Sequence, residues 1–156
     1  MTNLPWDLLA LLSVDNCRSG SALGEALGVS RAAVWKMVQA LQANGIDVVS
    51  EKGKGYRLST PVELLDVDRI GSRLTSEAAE CLAELHIVRQ LASTNAQIAQ
   101  ESYCSGDVLL AEWQTAGRGR RGRVWQSPPA KNIYMSLRWQ FEQGMSCLEG
   151  LSLAVG

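Results

Sequence analysis

Apolar residues recur at helical spacing through the first third of the chain, then alternate in short runs. Over residues 5–13, Leu8, Leu9, Leu11 and Leu12 supply one apolar face. They predict a first helix with Pro5 early in its first turn, where a missing N–H is harmless. Residues 20–27 read as a short second helix with Ser19 as N-cap. Gly28-Val29 makes a tight turn, and Ser30 caps a third helix that Asn44-Gly45 stops. At about 100° per residue, Ala33, Val34, Met37, Val38, Ala40 and Leu41 gather on one side of this helix. Trp35, Gln39 and Gln42 lie within about 80° of Arg31 on the other side, with Lys36 a little further round. Residues 46–50 and 56–58 read as two strands around a glycine-rich, basic tip at 51–55. Short helix, turn, longer helix and hairpin together predict a winged helix-turn-helix.

Ser59-Thr60-Pro61 ends this pattern, so the expected organisation is a winged-helix unit at 1–60, a linker at 61–66 and a second unit at 67–156. The acidic stretch 62–85 is expected to be helical from about Asp68, with Asp66 as cap. Residues 85–90 form a candidate strand, and Ser93-Thr94-Asn95 precedes a helix-like stretch at 96–101. Two further strands are expected at 107–113 and 132–139, and the apolar run 151–156 reads as an interrupted core helix. The expected fold class is α+β: the winged helix followed by an incomplete α/β domain, a mixed sheet with helices.

Composition narrows the possibilities without deciding them. No apolar run is long enough to span a bilayer, and no basic segment precedes an apolar one at the start, so a cytoplasmic protein away from membranes is expected. Cys17, Cys81, Cys104 and Cys147 are scattered, which fits reduced thiols and predicts neither a metal site nor a disulfide framework. The net charge of -1 hides a division. Residues 1–60 carry six Lys/Arg against five Asp/Glu, 61–110 carry three against eight, and 111–156 carry six against three. Basic groups are thus available for anions in the first and last segments.

In the first segment those groups fit DNA. Arg31, Lys36 and Gln39 carry donors suited to phosphates and base edges in a major groove, and Ser30 stands at the start of the same helix. Trp35 fits a base or sugar contact and a filler against the wing equally well. Lys52 and Lys54 place charge at the wing tip, where a sugar-phosphate backbone would pass. The alternative is a winged helix serving only as a protein-binding or structural module.

In the last segment, residues 114–125 (Gln-Thr-Ala-Gly-Arg-Gly-Arg-Arg-Gly-Arg-Val-Trp) combine three glycines with four arginines. Glycine-rich backbone turns its N–H groups toward an anion or carbonyl, and guanidinium forks match phosphate and carboxylate. The composition also fits a disordered RNA-binding tail. The close framing by two strands favours a ligand loop in a folded sheet.

Taken in order, Ser93-Thr94-Asn95, then Gln114-x-x-Gly117-Arg118-Gly119-Arg120-Arg121-Gly122-Arg123-x-Trp125, then residues 132–136 resemble the successive motifs of biotin protein ligases. With the winged helix in front, the chain resembles the subgroup that also represses the biotin operon. The resemblance implies an enzyme that joins biotin and Mg-ATP into biotinyl-5′-adenylate and passes biotin to a lysine of the carboxyl carrier protein of acetyl-CoA carboxylase. It implies that Ser93, Thr94 and Gln114 hydrogen-bond the biotin ureido ring, with the Arg118 backbone, and that Asn95 and Gly117 belong to the same biotin set. It places Arg120 as the catalytic cation at carboxylate and phosphate, with Arg121 and Arg123 close by and Trp125 packing near adenine. The liganded protein is expected to dimerise on operator DNA, with biotin and ATP as small-molecule partners and Mg2+ as the accompanying ion. A biotin-sensing regulator without ligase activity is the alternative, and a ligase with the winged helix as a mere tether is a third.

The sequence departs from the family in two respects. Its lysines are Lys36, Lys52, Lys54 and Lys131, and none lies in the family's Lys-Trp-Pro-Asn-type motif; the small C-terminal barrel is also missing. The chain is therefore expected to be the N-terminal part of a longer protein. His86, alone of its kind and in an apolar context, reads as structural; Asp107, Glu112 and the acidic 62–84 segment read as a solvated surface. Lys131 reads as an exposed loop residue.

Overall fold

A computed structural model describes residues 4–119, 123, 125–142 and 151. The first unit is built on helices α1 (Trp6–Leu11), α2 (Gly20–Leu27) and α3 (Arg31–Ala43), followed by strands β1 (Val48–Glu51) and β2 (Gly55–Leu58). Leu8, Leu23, Val34, Val38 and Leu41 are within 1% of fully buried, and Ile46, Val48 and Leu58 close the same core from the strand side. Each such aliphatic side chain contributes roughly 1.5–3 kcal/mol by leaving water. The expected caps are made: Ser19 Oγ accepts from Ala22 N at 3.1 Å, and Ser30 Oγ from Ala33 N at 3.2 Å.

β1 and β2 pair antiparallel, with Val48 opposite Leu58. A third partner joins them that no periodicity announced. Arg18 N donates to Tyr56 O and Tyr56 N donates to Arg18 O, both at 2.9 Å, so the segment before α2 extends the wing sheet. This contact needs glycine at 55, where φ is +124° and a Cβ would sit 2.1 Å from Arg18 O.

The second unit begins after the linker with α4 (Val67–Gly71) and α5 (Ser76–Cys81). One helix was expected there. Asp66 does cap, accepting from Arg69 N at 2.7 Å, but Thr75 adopts extended backbone (ψ 160°) and caps a separate helix by accepting from Ala78 N. A cap residue cannot also continue the preceding helix, which divides the stretch in two. Three strands follow in the order β3 (Leu85–Val88), β4 (Val108–Ala111) and β5 (Tyr134–Leu137). β3 and β4 are parallel, β4 and β5 antiparallel, which makes the expected mixed sheet. Helix α6 (Thr94–Ile98) connects β3 to β4 and packs on β4 and β5; it starts earlier than expected, with Ser93 as N-cap. The run 151–156 lies outside the described residues except for Leu151, which is helical and exposed.

Two acidic residues overturn the expectation of a solvated surface. Asp107 and Glu112 are only 5% and 2% exposed. They flank β4, the central strand, where backbone pairing covers them: Arg138 N donates to Asp107 O, and Glu112 N to Val88 O. Their carboxylates then take main-chain donors in place of water, Cys104 N at 2.6 Å and Leu65 N at 2.5 Å. Among the described residues no helix is long and apolar enough to cross a membrane.

Gly55→Ala should destabilise the chain by about 2 kcal/mol or more, because the wing loses the Arg18–Tyr56 pair and gains strain. Gly53→Ala, at φ +78° with open space around its Cβ, should cost only about 1 kcal/mol. Urea denaturation of both variants checks this; equal losses would show that Arg18 does not depend on Gly55.

Candidate functional site

The β3–β4 pairing does not stop where the strands end. Leu91 and Gln114 form one more parallel bridge, with Leu91 N donating to Trp113 O at 3.2 Å and Thr115 N to Leu91 O at 2.9 Å. That bridge holds Gln114 against the start of α6. Gln114 Oε1 accepts from both Thr94 N, at 2.8 Å, and Thr94 Oγ1, at 3.2 Å. Because a backbone N–H only donates, the atom facing it is the amide oxygen, and Gln114 Nε2 is left without a partner among the described residues. Ser136 Oγ, on β5, donates to Thr94 Oγ1 at 2.8 Å and completes the chain.

These groups line a cavity of about 410 Å³, together with Ser93, Asn95, Arg118 and Trp125. Six of the residues expected at the ligand site are therefore brought together. Ser136 and Met135, part of the 132–136 motif stretch but given no site role there, line it too; Ser136 shares strand parity with buried Tyr134, which is the signal that marks it as facing inward. Gly117 lies under Trp125, where a Cβ would meet Trp125 Cδ1 at 2.5 Å, so only glycine lets the indole approach. Arg123 is exposed and its carbonyl accepts from Gly119 N at 3.2 Å. Arg120 and Arg121 lie outside the described residues. Beyond the cavity, Tyr134 donates to Pro128 O at 2.8 Å and ties down the turn before β5; burial raises its phenol pKa.

His86 is not in this cavity. Its ring stands edge-on to Tyr103 at 5.1 Å, with Nδ1 3.7 Å from Glu84 and Nε2 3.9 Å from Asp107, the arrangement of a packed structural histidine. Among the described residues no three His, Cys, Asp or Glu side chains converge to hold a metal.

On the winged helix, Arg31, Trp35, Lys36 and Gln39 are all exposed. Trp35 is 53% exposed, so it does not fill a gap against the wing. Ser30 spends its hydroxyl oxygen on the cap. Gln42 leaves the open face: its Nε2 donates to Val48 O at 2.7 Å and ties α3 to β1. Lys36 stands apart from Arg31 and Trp35, lining a cleft with Trp6, Met37 and Arg89. At the wing tip Lys52 is exposed, while Lys54 pairs with Glu51 at 3.2 Å. Glu51 also accepts from Arg57 Nε at 2.6 Å, and hydrogen bonds first from Arg57 and then from Lys54 hold its carboxyl below the usual range.

Comparison with known proteins finds two family matches along the chain. Residues 7–57 match an HTH domain, and residues 87–155 match the biotin/lipoate A/B protein ligase family. The chain is 44% identical over 157 residues to the bifunctional ligase/repressor BirA of Salmonella typhimurium, covering 99% of the chain and 47% of that protein. It is 42% identical over 155 residues to the protein of the same name from Escherichia coli, covering 98% and 46%. A biotin–[acetyl-CoA-carboxylase] ligase of Mycobacterium tuberculosis is 41% identical over 58 residues, covering 35% and 22%. The chain thus spans about half the length of the two ligase/repressors.

Thr94 carries the hydrogen-bond chain, so Thr94→Val should cost about 1–3 kcal/mol in urea denaturation, by leaving Gln114 Oε1 and Ser136 Oγ each short of a partner. Thr94→Ser keeps the hydroxyl and should cost clearly less. Equal costs would show that the hydrogen bonds of the hydroxyl contribute no more than the packing of the methyl.

Proposed function

We propose that this chain, whose residues 7–57 match an HTH domain and whose residues 87–155 match the biotin/lipoate A/B protein ligase family, is the operator-reading and biotin-holding part of a biotin protein ligase that doubles as a transcriptional repressor. In this reading residues 1–60 bind DNA, 61–66 link, and 67–156 begin the catalytic domain. The observation that carries it is the Gln114–Thr94–Ser136 hydrogen-bonded set lining a cavity beside Arg118 and Trp125. A ureido ring offers one carbonyl acceptor and two N–H donors. Fixed amide and hydroxyl groups, already held by each other, meet it with little reordering.

The chemistry joins two anions. The biotin carboxylate attacks the α-phosphorus of ATP, forming the mixed anhydride and releasing pyrophosphate; a carrier lysine amine then attacks the acyl carbon and releases AMP. Bringing carboxylate to phosphate needs positive charge at the reacting atoms, the role assigned to Arg120 with Arg121 and Arg123. Trp125, over Gly117, offers its indole face to adenine. In this reading Mg2+ accompanies the ATP phosphates. Ser93, Asn95 and Arg118 complete the biotin pocket. On the DNA side, Arg31, Trp35 and Gln39 face bases, Lys36 flanks them, and Lys52 and Lys54 meet the backbone. The liganded protein acts as a homodimer, in the cytoplasm, and its protein substrate is the biotin carboxyl carrier protein.

The test of ligation is made in the full-length protein with Arg120→Gly. That variant should bind biotin but lose hold of the adenylate, so that a bystander protein without a carrier domain becomes biotinylated on blots. An unlabelled bystander with normal carrier labelling would remove Arg120 from the adenylate site. No carrier labelling by the unaltered full-length protein would favour a biotin-sensing regulator instead.

Changing Lys52 and Lys54 to Ala should weaken binding to operator and random DNA alike, and lower the salt slope of log K by about one unit per lost phosphate contact. Arg31→Ala or Gln39→Ala should instead reduce the preference for operator. Fluorescence anisotropy across a salt series checks both; an unchanged slope would take the wing off the backbone.

A further inference from the structure

Three consecutive residues at the end of β4 reach three different parts of the molecule. Glu112 accepts the backbone N–H of Leu65, in the linker, at 2.5 Å. Trp113 packs against the core of the winged helix. Gln114 holds Thr94 in the ligand cavity. The linker itself travels with the winged helix, because Val62 and Leu64 pack on that same core. Glu112 therefore grips, from the sheet side, a segment already fastened to the other unit.

Besides the packing of Trp113, the remaining polar ties between the two units are of a weaker kind. Lys131 Nζ lies 3.9 Å from Asp47 Oδ2, and both side chains are well exposed, so water and salt screen the pair. Arg89 stands over the Trp6 ring at 5.8 Å, near the outer limit of a cation–π contact. Glu112 differs because it is 2% exposed. A carboxylate stripped of water is costly unless donors replace the water, and a buried main-chain N–H without an acceptor is costly as well. Burial raises the Glu112 pKa, while the Leu65 N–H and the charge of Arg89 pull it back. Each partner thus has few alternatives to the other.

We propose that Glu112 is a latch: by holding Leu65 against the end of β4 it locks the winged helix and the ligand-binding unit into one orientation. The proposal goes beyond the biotin reading, since it concerns how the two units are held rather than what either binds. It assigns Glu112 a positioning role. The same turn of chain continues into Gln114, so the latch is fixed to the backbone that shapes the ligand cavity.

The test is amide 15N relaxation on the 156-residue chain, which reports a rotational correlation time for each unit. In the unaltered chain, residues of α3 and residues of β4 should share one value. In Glu112→Ala the α3 residues should drop to a shorter correlation time than the β4 residues, while the shift dispersion of both units stays native. Glu112→Gln should restore a common value, because its amide oxygen still accepts from Leu65 N. A common value in Glu112→Ala, with both units folded, overturns the latch. Should Glu112→Ala unfold the sheet, Leu65→Pro decides, since it removes the donor and leaves the sheet untouched. Separate tumbling supports the latch and common tumbling overturns it. No ligand is used, so failure here leaves the biotin reading standing, and failure of biotin binding leaves the latch standing.

Discussion

The parallel pairing of β3 with β4 runs past the end of both strands, and the bridge between Leu91 and Gln114 is where its consequences collect. Without it, Gln114 would be an exposed loop residue with a free amide. With it, the amide oxygen is committed to Thr94, Thr94 to Ser136, and the arginine–glycine loop must leave the sheet from a fixed point. One extra rung thereby orients α6, β5 and the loop around a single cavity. This fits the general habit of α/β units, in which ligands gather at the carboxyl ends of parallel strands.

In the proposed function positive charge serves two purposes in the two units, and its settings differ accordingly. At the wing tip Lys54 and Arg57 are bound to Glu51, so the tip presents organised charge on a short hairpin, suited to a repeating backbone. In the loop after β4, arginines alternate with glycines, so guanidinium forks can be set close to a small anion. The acidic segment between them keeps the total near neutral, and the net charge is silent about both.

Buried carboxylates are where charge patterning misleads. Asp107 and Glu112 look like ordinary acidic residues at strand ends, yet each replaces its hydration with a main-chain N–H: for Asp107 that of Cys104, three residues back, and for Glu112 that of Leu65, 47 residues away. Sequence reading assigns Glu112 to the surface because its compensating donor is not encoded near it, and Asp107 because charge alone does not reveal the local turn that supplies its donor.

Local signals alone determined much of this protein. The leucines of α1, the serine caps at 19 and 30 and the one-sided apolar face of α3 specified the winged helix, because period, caps and stop residues act over a few positions. The glycine–arginine motif and the Ser-Thr-Asn tripeptide were likewise visible as candidate ligand groups. What only the tertiary structure decided were the contacts between distant residues: Arg18 joining the wing, Ser136 meeting Thr94 across 42 positions, Gln42 turned inward to Val48, and Glu112 held by the linker. A hydrogen bond is specified by where two groups meet in space, and periodicity along a chain records only which way each one faces.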